Sequence, residues 1–431
     1  MTVRTGIGWT ASLGSLAAFL ALAAPVGAQT QQEQPVTFTK DVAPIVERSC
    51  QSCHRNGQMA PMSLMTYEEV RPYARAIKQK LIAGEMPPWG VDAHVGIQRF
   101  KNDNSLSQDE IATMVKWVDA GAPRGDAKDM RPARVFNDAA AWSLPGEPDL
   151  VVAGESHTTK ANAHEEWAEL FADVPIEEDR WVRAYQSLPS KDGLQVVHHM
   201  VAYIIRPDGE TDGYGLHYVP GKPATIYQED AGFLLRAGSR IKFDMHYTSI
   251  GTEVTDQPRV ALMFYPKGYE PKNKVVRLNW ASLGDLDIPV GEANARADGY
   301  ALIRSNLRLM TYLPHMHIRG RKQCIELIFP ASGQTEMLNC FGFNFEWQQV
   351  FQYEDDAQPL IPKGTILHVI NYHDNSRSNE DNPDPKNWTG FGQRSVDDMA
   401  IAMGEGMRLS DEEFERMVDE RKEKLAARRK F

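Results

Sequence analysis

The sequence has only four cysteines in 431 residues, no internal repeat and no excess of positive charge. Beyond its first 28 residues it also has no apolar run near the roughly 20 residues a membrane-spanning helix needs. Four cysteines are too few for a disulfide-dense scaffold, so the fold must rest on buried apolar cores. The net charge of -11 argues against a nucleic acid or an anionic membrane surface as partner. Neither nucleic-acid binding nor stable membrane insertion is therefore expected. None of these absences names a chemistry.

Residues 1–28 carry one basic residue, Arg4, then a run of Ala and Leu ending near Ala24, then Val26-Gly27-Ala28. That is the layout of a secretory signal peptide, with cleavage expected before Gln29. A retained anchor is the alternative, but the apolar core is short and interrupted by Gly and Ser. A periplasmic or secreted location follows, and with it an oxidising environment. There Cys324 and Cys340, flanking two apparent strands joined by Pro330-Ala-Ser-Gly-Gln334, are placed for a hairpin disulfide.

The segment 36–126 reads as mostly helical, with helices expected over 39–49, 67–83 and 107–120. Ser107-Gln-Asp-Glu110 has the pattern of a capping box, and Ile111, Met114, Val115 and Val118 recur at helical spacing. Residues 127–141, rich in Pro, Asp and Arg, read as a linker. From 142 onward, short β-branched or alternating runs such as 196–205, 259–265, 308–313 and 365–372 are separated by Gly, Pro, Asn and Asp. They predict two all-β sandwiches, 142–287 and 288–405, with the break near 285–294. A charged helical tail is expected over 406–431.

The Cys50-Gln-Ser-Cys53-His54 run has the spacing of covalent haem attachment. Two thiols take the haem vinyls and the adjacent imidazole ligates the iron. A zinc site would need further Cys or His nearby, and only His94 is present. The sixth iron ligand is expected to be Met86, held in Met86-Pro-Pro-Trp89, with Met59 and Met62 as the alternatives. A segment of this kind with "MPPW" looks like the short cytochrome c modules fused to bacterial redox enzymes. The fold expected is therefore multidomain, with an N-terminal all-α cytochrome c domain carrying one haem, followed by the two sandwiches.

The β-rich region adds a second set of residues: His198-His199-Met200, Met245-His246-Tyr247, His315-Met316-His317 and Met399 after Asp397-Asp398. Alternate residues of a strand share a face, so His315 and His317 can converge on one ion. Adjacent His198 and His199 point to opposite faces unless a bulge or strand end intervenes. Imidazole mixed with thioether suits copper cycling between two oxidation states better than zinc or calcium. His368 and His373, and likewise His157, His164 and His217, read as packing or hydrogen-bonding histidines. Asp244 is a candidate to orient His246.

In order, "HHM", "MHY", "HMHxxG" and "DDM" over about 200 residues resemble the copper type II, ascorbate-dependent monooxygenases, the peptidylglycine and dopamine β-hydroxylating enzymes. The resemblance implies jelly-roll-like sandwiches and two copper ions. One would be held by His198, His199 and His246 and pass an electron. The other, held by His315, His317 and Met399, would bind O2 and attack substrate carbon. Where peptide-amidating members carry an arginine two residues before the HxH pair, this chain has Leu313, and the positions following the copper-ligating Met hold Ile401 and Met403. A small, less polar substrate is expected instead. Asn371-Tyr-His-Asp-Asn-Ser-Arg377 is similar to segments of bacterial relatives.

The function expected from these readings is a copper monooxygenase acting on a small molecule with O2, with an external donor feeding electrons through the haem. The alternatives are a haem and copper dehydrogenase or oxidase running the other way, and a non-catalytic electron-transfer or copper-binding protein.

Overall fold

The strands of this protein are short because turn formers interrupt them, and they assemble by the side-chain period of two. In the computed structural model, residues 35–136, 140–163, 165–212, 215–228, 230–281 and 283–428 are described. The expected signal peptide, part of the linker and His164 lie outside them. One long sheet runs Leu150–Ala153, Arg259–Phe264, Arg180–Leu188, Ala231–Leu235, Asn273–Trp280, Ala400–Arg408, Leu307–Met316, Phe351–Gln352, with two further two-residue strands pairing beside this path. Two four-stranded sheets oppose it. The first is Glu165–Asp173, Arg240–Thr248, Val197–Ile205, Leu216–Tyr218; the second is Ala295–Leu302, Ile366–His373, Gly320–Phe329, Gln334–Gly342.

Alternation decides what each sheet buries. In Arg240–Thr248, Ile241, Phe243, Met245 and Tyr247 face inward and meet Val182, Tyr185, Phe233 and Val260 of the long sheet. Leu309, Tyr312, Ile325, Phe341, Leu367 and Val369 form the second core. Cys324 and Cys340 face each other across the Gly320–Phe329 and Gln334–Gly342 pair and are disulfide-bonded.

The expectation of an N-terminal all-α cytochrome c domain followed by two separate sandwiches is overturned. Among the described residues, 36–126 holds only four α-helices, Ala43–Ser49, Tyr67–Val70, Ala74–Ile82 and Gln108–Asp119, of 4 to 12 residues each. They surround one small core of Phe38, Val46, Leu81, Met114 and Trp117. Pro72 explains part of the shortfall: it interrupts the expected 67–83 helix with a 3-10 turn at Arg71–Tyr73, since proline lacks the N–H that continues the ladder. The stretch from Trp89 to Lys101 leaves the helices and lies along the β-structure. Asp92 N–H donates to Cys340 O at 2.9 Å, Lys101 N–H to Gln352 O at 2.8 Å, and the Trp89 ring meets Phe351 at 5.1 Å. The sandwiches are not separate either, because Asn273–Trp280 pairs antiparallel with Ala400–Arg408 along its length. One sheet thus spans both halves.

Inside that shared sheet lies a buried polar group. The hydroxyls of Tyr185 and Tyr227 both donate to Glu405 Oε1, at 3.3 and 3.0 Å, with Glu405 only 1% exposed. Burial raises the Glu405 carboxyl above its ordinary range, against the opposing pull of Arg277 and Lys222. An acid whose folded pKa exceeds its unfolded value binds more protons folded than unfolded between the two. Stability therefore falls as pH rises from the unfolded value of about 4.3 through the folded one. Glu405→Gln keeps the acceptor oxygen and removes this fall. Urea midpoints measured from pH 4 to 8 are expected to show the variant gaining on the parent as pH rises; parallel curves would contradict the buried-acid account.

Candidate metal centre

The first candidate centre sits on the outer face of the first four-stranded sheet. In the antiparallel pair, His199 lies opposite His246, and the register shifts between Val197 and His199. His198 is the extra residue of that bulge. A bulge is the device that lets adjacent side chains leave the same surface, and here it brings both imidazoles to His246. One ring nitrogen from each of the three lies within 4.8 Å of the others, and the Nδ1 atoms of His198 and His199 are 3.4 Å apart.

His246 shares its face with Lys242 and Asp244, yet it is 1% exposed. Two covers explain this. Trp167, opposite His246 on the neighbouring strand, stacks on it at 4.0 Å with 4° between planes. From the other half of the molecule, the Phe345 ring lies 6.2 Å from His246 and the Trp347 ring 6.4 Å from His198. Both ring nitrogens of His246 lack a hydrogen-bond partner, although Glu165 Oε2 is 3.4 Å from Nε2. Asp244 does not orient this ring: it pairs with Lys242 at 3.0 Å.

The second candidate centre lies at the end of strand Leu307–Met316, where the rings of His315 and His317 are 5.5 Å apart. Met399 directly precedes Ala400, the residue paired with Met316. Asp398 fixes the junction. Its Oδ1 accepts from the backbone N–H of His317 at 2.9 Å and of Met399 at 2.8 Å, and its Oδ2 from that of Arg319 at 3.1 Å. Gln348 Oε1 lies 2.8 Å from His315 Nδ1, so Nδ1 carries the proton and Nε2 is left with a free lone pair. His317 Nδ1 has no partner. The Phe345 ring is also 6.2 Å from His317.

Electrostatics favour neutral rings. Burial, then His246, pushes His198 down to about 4, and burial with neighbouring imidazoles takes His199 well below its ordinary value. Burial and His317 lower His315 to about 4, Gln348 opposing, and burial lowers His317 against the pull of Asp398. Neutral imidazole is the form that ligates a metal. The orphaned ring nitrogens of His246, the mutual proximity of the three rings and the lowered His198 and His199 together fit a bound ion at the first set. The second fits one through His315, His317 and the adjacent Met399.

At the N-terminal motif, Cys50 and Cys53 are unbridged thiols, and burial pushes Cys50 up to about 12. His54 Nδ1 lies 3.3 Å from Met62 O, which leaves Nε2 for an iron. That donor set fits covalent haem. Met62 packs against the small helical core, while Met86 follows the helix Ala74–Ile82 and is 39% exposed. The strand Leu216–Tyr218 pairs with Val197–Ile205, and its Tyr218 phenol is raised first by burial and then by Cys53.

Four further histidines are otherwise engaged. His368 lies between Glu326 at 2.9 Å and Asp298 at 2.7 Å. His373 Nε2 is 3.2 Å from Met399 O. His217 bonds Gly215 O, and His157 bonds Glu166. Sequence reasoning missed Trp167, Glu165, Gln348 and the Phe345 and Trp347 covers. The aromatic-rich run Phe343-Asn-Phe-Glu-Trp347 was the one available signal for the last two.

Comparison with known proteins adds no family. No protein-family model matches the chain, and no curated protein does. Among solved structures, the major capsid protein of bacteriophage PM2 is similar at 10% identity and TM-score 0.31, over 61% of this chain and 98% of that one. The N-terminal tandem CBM22 domain of Paenibacillus barcinonensis Xyn10C is similar at 9% identity and TM-score 0.17, over 63% of this chain and 98% of that one. With TM-scores this low, neither likeness bears on fold or function.

Proposed function

We propose that this protein is a copper-dependent monooxygenase that hydroxylates a small organic substrate with O2, drawing electrons through a haem attached at Cys50, Cys53 and His54. In this reading it resembles the copper type II, ascorbate-dependent monooxygenases. The observation that carries the proposal is the position of Phe345: one ring lies 6.2 Å from both His246 and His317. One aromatic side chain thus lies close to a histidine of each set. A lone metal-storage site would have no use for that pairing.

Copper in the two sets would supply one-electron steps and the activation of O2, for a reaction in which R–H, O2, two electrons and two protons give R–OH and water. The protein's own residues do the rest. The bulge at His198 and the Trp167 stack hold the first imidazoles in place. Asp398 and Gln348 orient the second set from behind. A cleft of about 230 Å³ is lined by Pro88, Trp89, Pro314, Phe343 and Trp347 together with Glu85 and Arg321, and its apolar stretch is the candidate surface for a small substrate. Leu313 packs in a buried apolar cluster with Val350 and Met403.

Electrons from the haem would pass to the His198, His199 and His246 set. Met86 is the proposed sixth ligand, with Met59 and Met62 as the alternatives. The Cys324–Cys340 disulfide supports an exported location.

The decisive experiment loads the chain with copper, reduces it through the haem without oxygen, and admits labelled O2 with a panel of small amines, thioethers and alcohols. Copper reduction following haem reduction, and label in the product, are expected. Substrate oxidation without label would establish the dehydrogenase or oxidase instead.

A further inference from the structure

At the open end of the first sandwich, away from both histidine sets, lies a cleft of about 460 Å³ whose walls are unlike the rest of this acidic chain. Arg206, Arg236, Lys274, Arg277 and Arg408 line it, and Asp212 is the one acid among its lining residues. A net charge of -11 makes five cations around one cleft a local departure from composition. Some of that charge is answered nearby: Arg277 pairs with Asp212 at 2.9 Å, Arg206 with Asp208 at 3.3 Å and Lys274 with Glu270 at 2.7 Å. Arg236 and Arg408 form no ion pair among the described residues.

A second, independent observation points to a ligand. Two buried polar atoms in this wall have no hydrogen-bond partner: Arg277 Nη2 and Ser239 Oγ. Ser239 is 2% exposed and the Arg277 side chain 5%. Both can donate. Buried donors left without an acceptor are unfavourable, so two at one cleft call for an acceptor that bears several lone pairs. A carboxylate or phosphate oxygen set supplies them, and charged acceptors bond guanidinium most strongly. The remaining wall, Trp181, Ile204, Phe233 and Val275, is apolar and leaves space for a carbon skeleton beyond the anionic group.

We propose that this cleft binds a small organic oxyanion, with Arg277 and Ser239 bonding its oxygens and Arg206, Arg236 and Arg408 drawing it in from solvent. The site shares no lining residue with the histidine sets and stands independently of the monooxygenase reading.

The test is calorimetric titration of the full chain, at low ionic strength, with inorganic phosphate, with succinate and with uncharged butanediol. Saturable one-site binding of at least one anion is expected, with none for butanediol. Succinate alone would assign a carboxylate ligand, phosphate alone a phosphate ester. Arg236→Gln combined with Arg408→Gln, both at exposed positions, should weaken binding about tenfold or more, as expected for lost charge-assisted contacts. Ser239→Ala should weaken it as well, and His315→Ala should not. The thermal midpoint of the parent should rise with anion concentration. Absence of saturable binding by either anion into the tens of millimolar, or binding indifferent to the Arg and Ser substitutions, overturns the proposal.

Discussion

Replacing His246 with alanine is expected to halve the copper content of the chain, from two ions to one, and to lower product formation about 100-fold or more. Altering a residue that merely supports a metal ligand costs 10–100-fold in affinity or activity; removing one of three ligands should cost at least that. His246 is the natural target because its partners arrive from three directions. His199 faces it across the strand pair, His198 reaches it through the bulge, and Trp167 stacks on its far side. Alanine leaves the bulge in place but removes the ring around which the other two converge. Metal analysis and electron paramagnetic resonance on the variant should show the His315 and His317 signal retained and the other lost. Two coppers bound as tightly as in the parent would sink the assignment of the first set.

How far the sequence could lead to this site depends on distance along the chain. His315 and His317 were legible because a period of two is a property of any strand and needs no partner. His198 beside His199 posed a condition rather than an answer. A bulge was required, but its place is set by register against Arg240–Thr248, some 40 residues away. Trp167 and Phe345 were illegible for the same reason in stronger form, since Trp167 covers His246 from a strand whose pairing the whole sheet decides and Phe345 from a 3-10 turn about 100 residues later in the chain.

The N-terminal helices show the opposite failure. Their positions were readable from capping and periodicity, and Ser107 with Glu110 does form the expected capping box. What could not be read was that 89–101 would abandon them for the strand Gln334–Gly342 and Phe351. The backbone of that stretch finds its acceptors in residues more than 200 positions later. A local helical signal therefore overstated an all-α domain. Likewise, the turn-rich break near 285–294 marked a real loss of regular structure, but not a boundary between sheets. Strands on either side of it, Asn273–Trp280 and Ala400–Arg408, are neighbours.

Asp398 carries the largest expected stability effect of any single side chain in the second set. It is fully buried, and burial alone would raise its carboxyl. His373 and the backbone N–H of His317 outweigh that and hold it below the ordinary carboxylate range. Three backbone N–H groups depend on it, those of His317, Arg319 and Met399. Asp398→Ala leaves all three without an acceptor, in a place water does not reach, beside the buried Arg319 that still needs a counter-charge. Breaking a buried charged network of this kind costs about 3–5 kcal/mol. Asn keeps one acceptor oxygen but turns an amide toward at least one donor, so an intermediate loss is expected. Urea unfolding at pH 7 checks both values. The site makes a further demand on the same variants, because Asp398 joins the strand bearing His315 to the loop bearing Met399. If its role were only to stabilise the fold, the Asn variant, once folded, would bind copper at His315 and His317 as the parent does. If it holds Met399 near His317, the folded Asn variant should lose affinity at that set alone, with the His198, His199 and His246 ion untouched.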